Sequence, residues 1–138
     1  MQRSGSTVAS ARPPTLRATE SRRVLIVEDN LDTVRSLVLL LRDMGHQVEY
    51  AINGYAALEA ARQFKPEFVF LDLGLPGMSG FELCKRLKRE PGLAPSRVFS
   101  ITAYAQEDYR KRALEAGCEL HLVKPVSANQ LAALLRGP

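Results

Sequence analysis

From Arg23 onward the chain alternates short apolar runs with longer amphipathic segments five times over, a rhythm that few folds can satisfy. The runs are Val24 to Val27, Val48 to Ile52, Phe68 to Leu71, Val98 to Ile101 and Leu120 to Val123. Four are nearly continuous in apolar residues, which is how strands read when helices cover both faces of a parallel sheet. Between them apolar residues recur at helical spacing. Val34, Leu37, Val38 and Leu41 mark a first helix ended by Gly45, and Ala57, Leu58, Ala61 and Phe64 a second that stops before Pro66. Phe81, Leu83, Cys84 and Leu87 mark a third, with Lys85, Arg86, Lys88 and Arg89 placed outside. A fourth is expected from Glu107 to Ala116, closed by Gly117. The fifth begins at Ser127, where Gln130 completes a capping box ahead of Leu131, Leu134 and Leu135. Parallel strands need right-handed crossovers, so the pattern specifies one α/β domain built on a doubly wound five-stranded parallel sheet.

Residues 1–22 lack any such period. They are rich in Ser, Thr, Arg, Ala and Pro and cannot bury enough surface to offset their ordering entropy, so they read as a disordered basic arm or linker remnant ahead of a domain at 23–138. Arg3, Arg12, Arg17, Arg22 and Arg23 against Glu20 account for the whole formal charge of +4. The remainder is neutral, which argues against a nucleic-acid partner for the domain. The longest aliphatic run, Leu37 to Leu41, is far short of the roughly 20 apolar residues that span a bilayer. No apolar signal-peptide core precedes the domain either. Cys84 and Cys118 have no metal-ligand spacing and read as buried thiols of a cytoplasmic protein rather than a disulfide. His46, following Gly45, reads as a surface turn residue.

Ligand chemistry in a doubly wound sheet gathers at the carboxyl ends of the strands. Glu28 and Asp29 follow the first strand, Asp72 the third, Thr102 the fourth, and Lys124 with Pro125 the fifth. Three carboxylates on one edge repel one another unless a cation sits among them, and an all-oxygen donor set favours a hard ion such as Mg²⁺. Lys124 adds positive charge opposite. The loop VEDNLDT has no glycine-rich cradle, and its acids would repel a nucleotide or flavin phosphate. An aspartate-nucleophile phosphatase of the haloacid dehalogenase type would need Asp-x-Asp after its first strand. Here Asp72 ends the third strand, and Gly74 stands in the second acid's place.

The segments VLIVEDN, FLDLGLPGMSG, ITA and LVKP, in this order between Arg23 and about Arg136, resemble the signatures of the receiver domain of two-component response regulators. Receivers of hybrid histidine kinases have a similar style. The resemblance implies a (βα)5 flavodoxin-like sheet of strand order 2-1-3-4-5. It implies that Asp72 accepts a phosphoryl group from a phosphohistidine, assisted by Thr102 and Lys124. It places Mg²⁺ on Asp29, Asp72, the backbone carbonyl of Gly74 and, through a water, Glu28. Such a domain catalyses only its own phosphorylation and slow dephosphorylation, and is not an enzyme in the ordinary sense. The chemistry agrees, because phosphoryl transfer depends chiefly on positioning and on cations around the equatorial oxygens.

By the same resemblance Thr102 and His121 form the switch pair, His121 standing where the family usually has Tyr or Phe. Gly74 and Tyr104 flank the path of hydrolytic water, and the Lys124–Pro125 peptide is cis. The implied partners are a sensor histidine kinase or a histidine phosphotransfer protein, and a downstream protein at the face of the fourth helix, fifth strand and fifth helix. The chain is expected to be a monomer or weak dimer, without a membrane partner, and either a single-domain regulator or a receiver excised from a larger protein. The competing reading is an interaction module of the same fold that works without phosphorylation.

Overall fold

The computed structural model describes residues 20–103 and 105–136. Strands β1 (Arg23–Val27), β2 (Gln47–Ala51), β3 (Phe68–Leu71), β4 (Arg97–Thr102) and β5 (Leu120–Val123) alternate with helices α1 (Leu31–Asp43), α2 (Gly54–Phe64), α3 (Gly80–Arg89), α4 (Glu107–Ala116) and α5 (Ala128–Arg136). All strand pairs are parallel and the order is β2-β1-β3-β4-β5, the order that the resemblance implies.

Alternation along the strands divides the core into two layers, because successive side chains leave a strand on opposite faces. Leu25, Val27, Val69, Leu71 and Val98 pack against Ala57, Leu58, Ala61, Leu83, Leu87 and Ala113 of α2, α3 and α4. Val24, Ile26, Phe68, Phe70, Phe99 and Ile101 pack on the other face against Val34, Val38, Leu41, Leu131 and Leu135 of α1 and α5. The phenyl rings of Phe70 and Phe99 stack at 5.3 Å within that second layer.

The helices start where short polar side chains cap them. Asn30, Asn53 and Ser79 accept backbone N–H bonds from Thr33, Ala56 and Glu82. Ser127 and Gln130 exchange bonds of 2.9 and 3.1 Å, the reciprocal capping box expected from the sequence.

Three local readings change. Arg22, grouped with the arm by composition, is tied into the domain: its N–H donates to His46 Nδ1 at 3.0 Å, its Nε to the Leu135 carbonyl at 3.0 Å, and its carbonyl accepts from Gln47. His46 is therefore buried rather than a surface turn residue. Burial, reinforced by the Arg22 guanidinium, holds its pKa below the ordinary histidine range and keeps Nδ1 an acceptor. Lys88, placed on the solvent face of α3, folds back so that Nζ donates to the carbonyls of Ala94 and Ser96, each at 2.7 Å. Residues 1–19 of the arm lie outside the described residues.

Candidate functional site

One ladder bond beyond each strand end positions the polar groups. Glu28 N–H donates to the Ala51 carbonyl, Asp72 N–H to Val27, and Lys124 N–H to Thr102, at 3.0, 3.0 and 2.9 Å. The chain leaves the sheet immediately afterwards, so the side chains of three different strands converge on one edge.

Glu28 is buried, Asp72 half-buried and Asp29 exposed, and their nearest carboxylate oxygens all lie within 4.8 Å of one another. Lys124 Nζ reaches between two of them, 2.7 Å from Glu28 Oε1 and 3.1 Å from Asp72 Oδ2. The remaining oxygens accept backbone bonds: Glu28 Oε2 from Asn30 N–H at 3.1 Å, and Asp72 Oδ1 from Gly74 N–H at 3.0 Å. The repulsion expected from the sequence is thus partly relieved within the protein. Three carboxylates still face one ammonium, and an all-oxygen set with uncompensated negative charge fits Mg²⁺.

Burial raises the Glu28 pKa, with the Asp72 charge acting in the same direction and the Lys124 and Asn30 bonds opposing it. For Lys124 burial works against the ammonium, but the bonds it donates to Glu28 and Asp72, with the charges of those carboxylates, outweigh it and raise its pKa. A folded-state pKa above the unfolded one means that the Glu28 contribution to stability is present at low pH and is lost as pH rises from 4.5 through the raised value.

The cluster yields a direct expectation for Asp72→Asn. Removing one of three like charges leaves Lys124 paired with Glu28, so the metal-free variant should be more stable than wild type by about 1 kcal/mol, a rise of several degrees in Tm. Thermal melts in chelator decide, and an equal or lower Tm in the variant counts against net repulsion.

Thr102, read as following the fourth strand, is its last residue and is fully buried, in register with Val123. His121 lies opposite Ser100 on the neighbouring strand, with Nδ1 2.8 Å from Ser100 Oγ. The Lys124–Pro125 peptide is cis, as the resemblance implies. Gly74 is exposed, with its N–H turned to Asp72. Tyr104 lies outside the described residues. Sequence reasoning passed over two positions. Ser100 is fully buried beside His121, and only its polarity within an apolar run marks it. At Gly80 an added Cβ would sit 2.5 Å from the Asp72 carbonyl oxygen and 2.6 Å from Leu73 Cα. That contact has no sequence signal beyond a glycine at a helix start.

Residues 24–136 match the family model described as the response regulator receiver domain. The chain is 34% identical over 106 residues to the polar-differentiation response regulator DivK of Brucella anthropi, covering 77% of this chain and 86% of that protein. It is 33% identical over 127 residues to the sensor histidine kinase GacS of Pseudomonas protegens, covering 90% of this chain and 14% of the kinase. Among solved structures it superposes on the chemotaxis response regulator CheY4 of Vibrio cholerae with a TM-score of 0.78 at 25% identity, covering 84% of this chain and 97% of the other.

Proposed function

The chain belongs to the response regulator receiver domain family, a family of two-component signalling modules, and on that premise we propose that Asp72 is the phosphoacceptor of a phosphorelay. The observation that carries this reading is the placing of the Asp72 carboxylate between the Lys124 ammonium and the Gly74 N–H, within reach of Glu28 and Asp29.

In this reading an Asp72 carboxylate oxygen attacks the phosphorus of a phosphohistidine. The P–N bond breaks, and the electron pair returns to the imidazole. Lys124 turns from the carboxylate to an incoming phosphoryl oxygen, and the Gly74 N–H and the Thr102 hydroxyl donate to others. Asp29, Asp72 and the Gly74 carbonyl, with Glu28 through a water, would hold Mg²⁺, which would supply positive charge to those same oxygens. The donor is a sensor histidine kinase or a histidine phosphotransfer protein. Similarity to a segment of GacS supports a place in, or a common ancestry with, receivers of hybrid kinases.

The readout is a contact surface. Leu114, Leu120 and Val123, on α4 and β5, expose 36, 44 and 41% of their area, apolar surface that a downstream protein or a weakly associating second copy would cover. Thr102 and His121 would couple Asp72 to that surface. No helix among the described residues is long and apolar enough to cross a membrane, and a cytoplasmic site of action fits the reading.

Incubation with acetyl phosphate and Mg²⁺ followed by intact mass measurement tests the proposal. One phosphoryl adduct, absent in Asp72→Asn, is the expected result. No adduct points to an interaction module that works without phosphorylation, and turnover of assorted phosphomonoesters to a phosphatase. Once formed, the adduct should decay slowly, because neither Gly74 nor Tyr104 offers an acid or amide to orient water. Tyr104→Ala should accelerate that decay, since in this reading the large ring beside the water path shields the phosphoryl group, and an unchanged or slower rate removes the tyrosine from that shielding role.

A further inference from the structure

Two thiols outside the acidic site meet in the layer between the sheet and helices α3 and α4. Cys84, on α3, has no exposed surface, and Cys118, in the turn between α4 and β5, is 4% exposed. Their sulfurs lie 3.4 Å apart, Cys118 donating its S–H to Cys84 across 34 positions of sequence. The backbone is shaped around the pair. Gly117 takes a φ of 114°, and a Cβ there would stand 2.7 Å from Lys88 Cγ and 3.6 Å from Cys84 Sγ. A side chain at 117 would therefore wedge into the packing that lets the two elements approach.

We propose that Cys84 and Cys118 are an oxidisable pair, a modification site at which hydrogen peroxide closes a disulfide between α3 and the α4–β5 turn, and that closure is transmitted through Ser100 to His121. The sulfurs must approach from 3.4 Å to the bonded distance of about 2.05 Å. The S–H bond from Cys118, opposed by burial and aided by Lys88, lowers the pKa of Cys84, whereas the same pairing together with burial pushes Cys118 up. One sulfur of the pair reacts first, as its thiolate. It attacks one peroxide oxygen, the O–O bond breaks, and the departing hydroxide takes up a proton as water, leaving a sulfenic acid. The second sulfur, 3.4 Å away, then attacks the first, loses its proton, and displaces the sulfenic oxygen as a second water. Two thiols are oxidised by two electrons in total, and the peroxide is reduced to water.

The path onward is short. The Ser100 hydroxyl acts on the Cys118 thiol, pulling its pKa down against the pairing and burial that raise it, lies 2.8 Å from His121 Nδ1 and donates at 3.5 Å to the Leu120 carbonyl. Drawing the Cys118 sulfur toward Cys84 changes the surroundings of the Ser100 hydroxyl, and with them the hydrogen bond it shares with His121 Nδ1. His121 in turn borders the exposed face formed by α4 and β5.

The reduced full chain, treated with stoichiometric hydrogen peroxide, tests both halves. Intact mass should fall by two hydrogens, and non-reducing peptide maps should join the segments holding Cys84 and Cys118. Dithiothreitol should restore the starting mass, and Cys84→Ala or Cys118→Ala should abolish the link. The imidazole ¹⁵N resonances of His121 should shift on oxidation and return on reduction. Oxygen addition without a link, disulfides between chains, or a link that forms only after unfolding in urea would overturn the site. A link with unmoved His121 resonances would overturn its coupling to the ring. The wild-type cycle alone suffices where an alanine variant folds poorly.

Discussion

Gly80→Ala should destabilise the domain by about 1–3 kcal/mol, the usual cost of forcing an extra carbon into a packed interior, and slow phosphoryl uptake at Asp72 on the order of tenfold to a hundredfold. Helix propensity alone argues for the opposite sign, since alanine is favoured over glycine within a helix by about 1 kcal/mol. Geometry overrides it here. The new Cβ would lie 2.5 Å from the Asp72 carbonyl oxygen and 2.6 Å from Leu73 Cα, both backbone atoms that cannot swing aside as a side chain can. The Gly80 N–H also donates to the Leu73 carbonyl at 3.1 Å, so the start of α3 and the turn carrying Asp72 must shift together. Chemical denaturation and the rate of acetyl phosphate uptake measure the two effects. A gain in stability would show that the loop absorbs the carbon freely.

Lys124→Met should lower the stability of the metal-free domain by about 1–3 kcal/mol at neutral pH, because it leaves the buried Glu28 carboxylate without its cation. The same variant should lose about 10²–10³ in phosphoryl uptake, the scale on which a single electrostatic donor acts in such sites. The stability loss carries its own pH signature. The Glu28 pKa is already raised by burial and rises further without the ammonium, so acidification protonates the carboxyl and closes the gap between variant and wild type. Denaturation across the mildly acidic range, with chelator present, reads this directly. A destabilisation that persists unchanged at low pH would assign it to lost packing of the lysine stem instead.

The elements were legible in the sequence because their causes are local. The apolar runs Val24 to Val27 and Phe68 to Leu71 could only be strands covered on both sides, and the structure buries every one of those residues. Ser127 with Gln130 announced the start of α5 three residues ahead of its first core leucine. Less was legible where a residue's partner is remote. His46 looked like a turn residue beside Gly45, yet it is covered by Arg22, which composition assigned to the arm. Lys88 sat on the charged face of α3 by periodicity. A long flexible stem lets it reach the Ala94 and Ser96 carbonyls, and periodicity carries no information about reach.

The sequence by itself determined the class of sheet, the two covered faces, and the set of ionisable groups delivered to the strand ends, since strand alternation and the crossover rule act on neighbouring residues and on chain direction. Tertiary structure decided how those groups share charge: Lys124 between Glu28 and Asp72, and Asp29 left toward solvent. It also decided that Gly80 presses on the backbone of Asp72, that two cysteines far apart in the chain touch, and that His121 is held by a buried serine. Each of these is a contact between elements brought together only by sheet order and helix packing. Their energies depend on distance and burial, quantities that exist only once the chain has closed on itself.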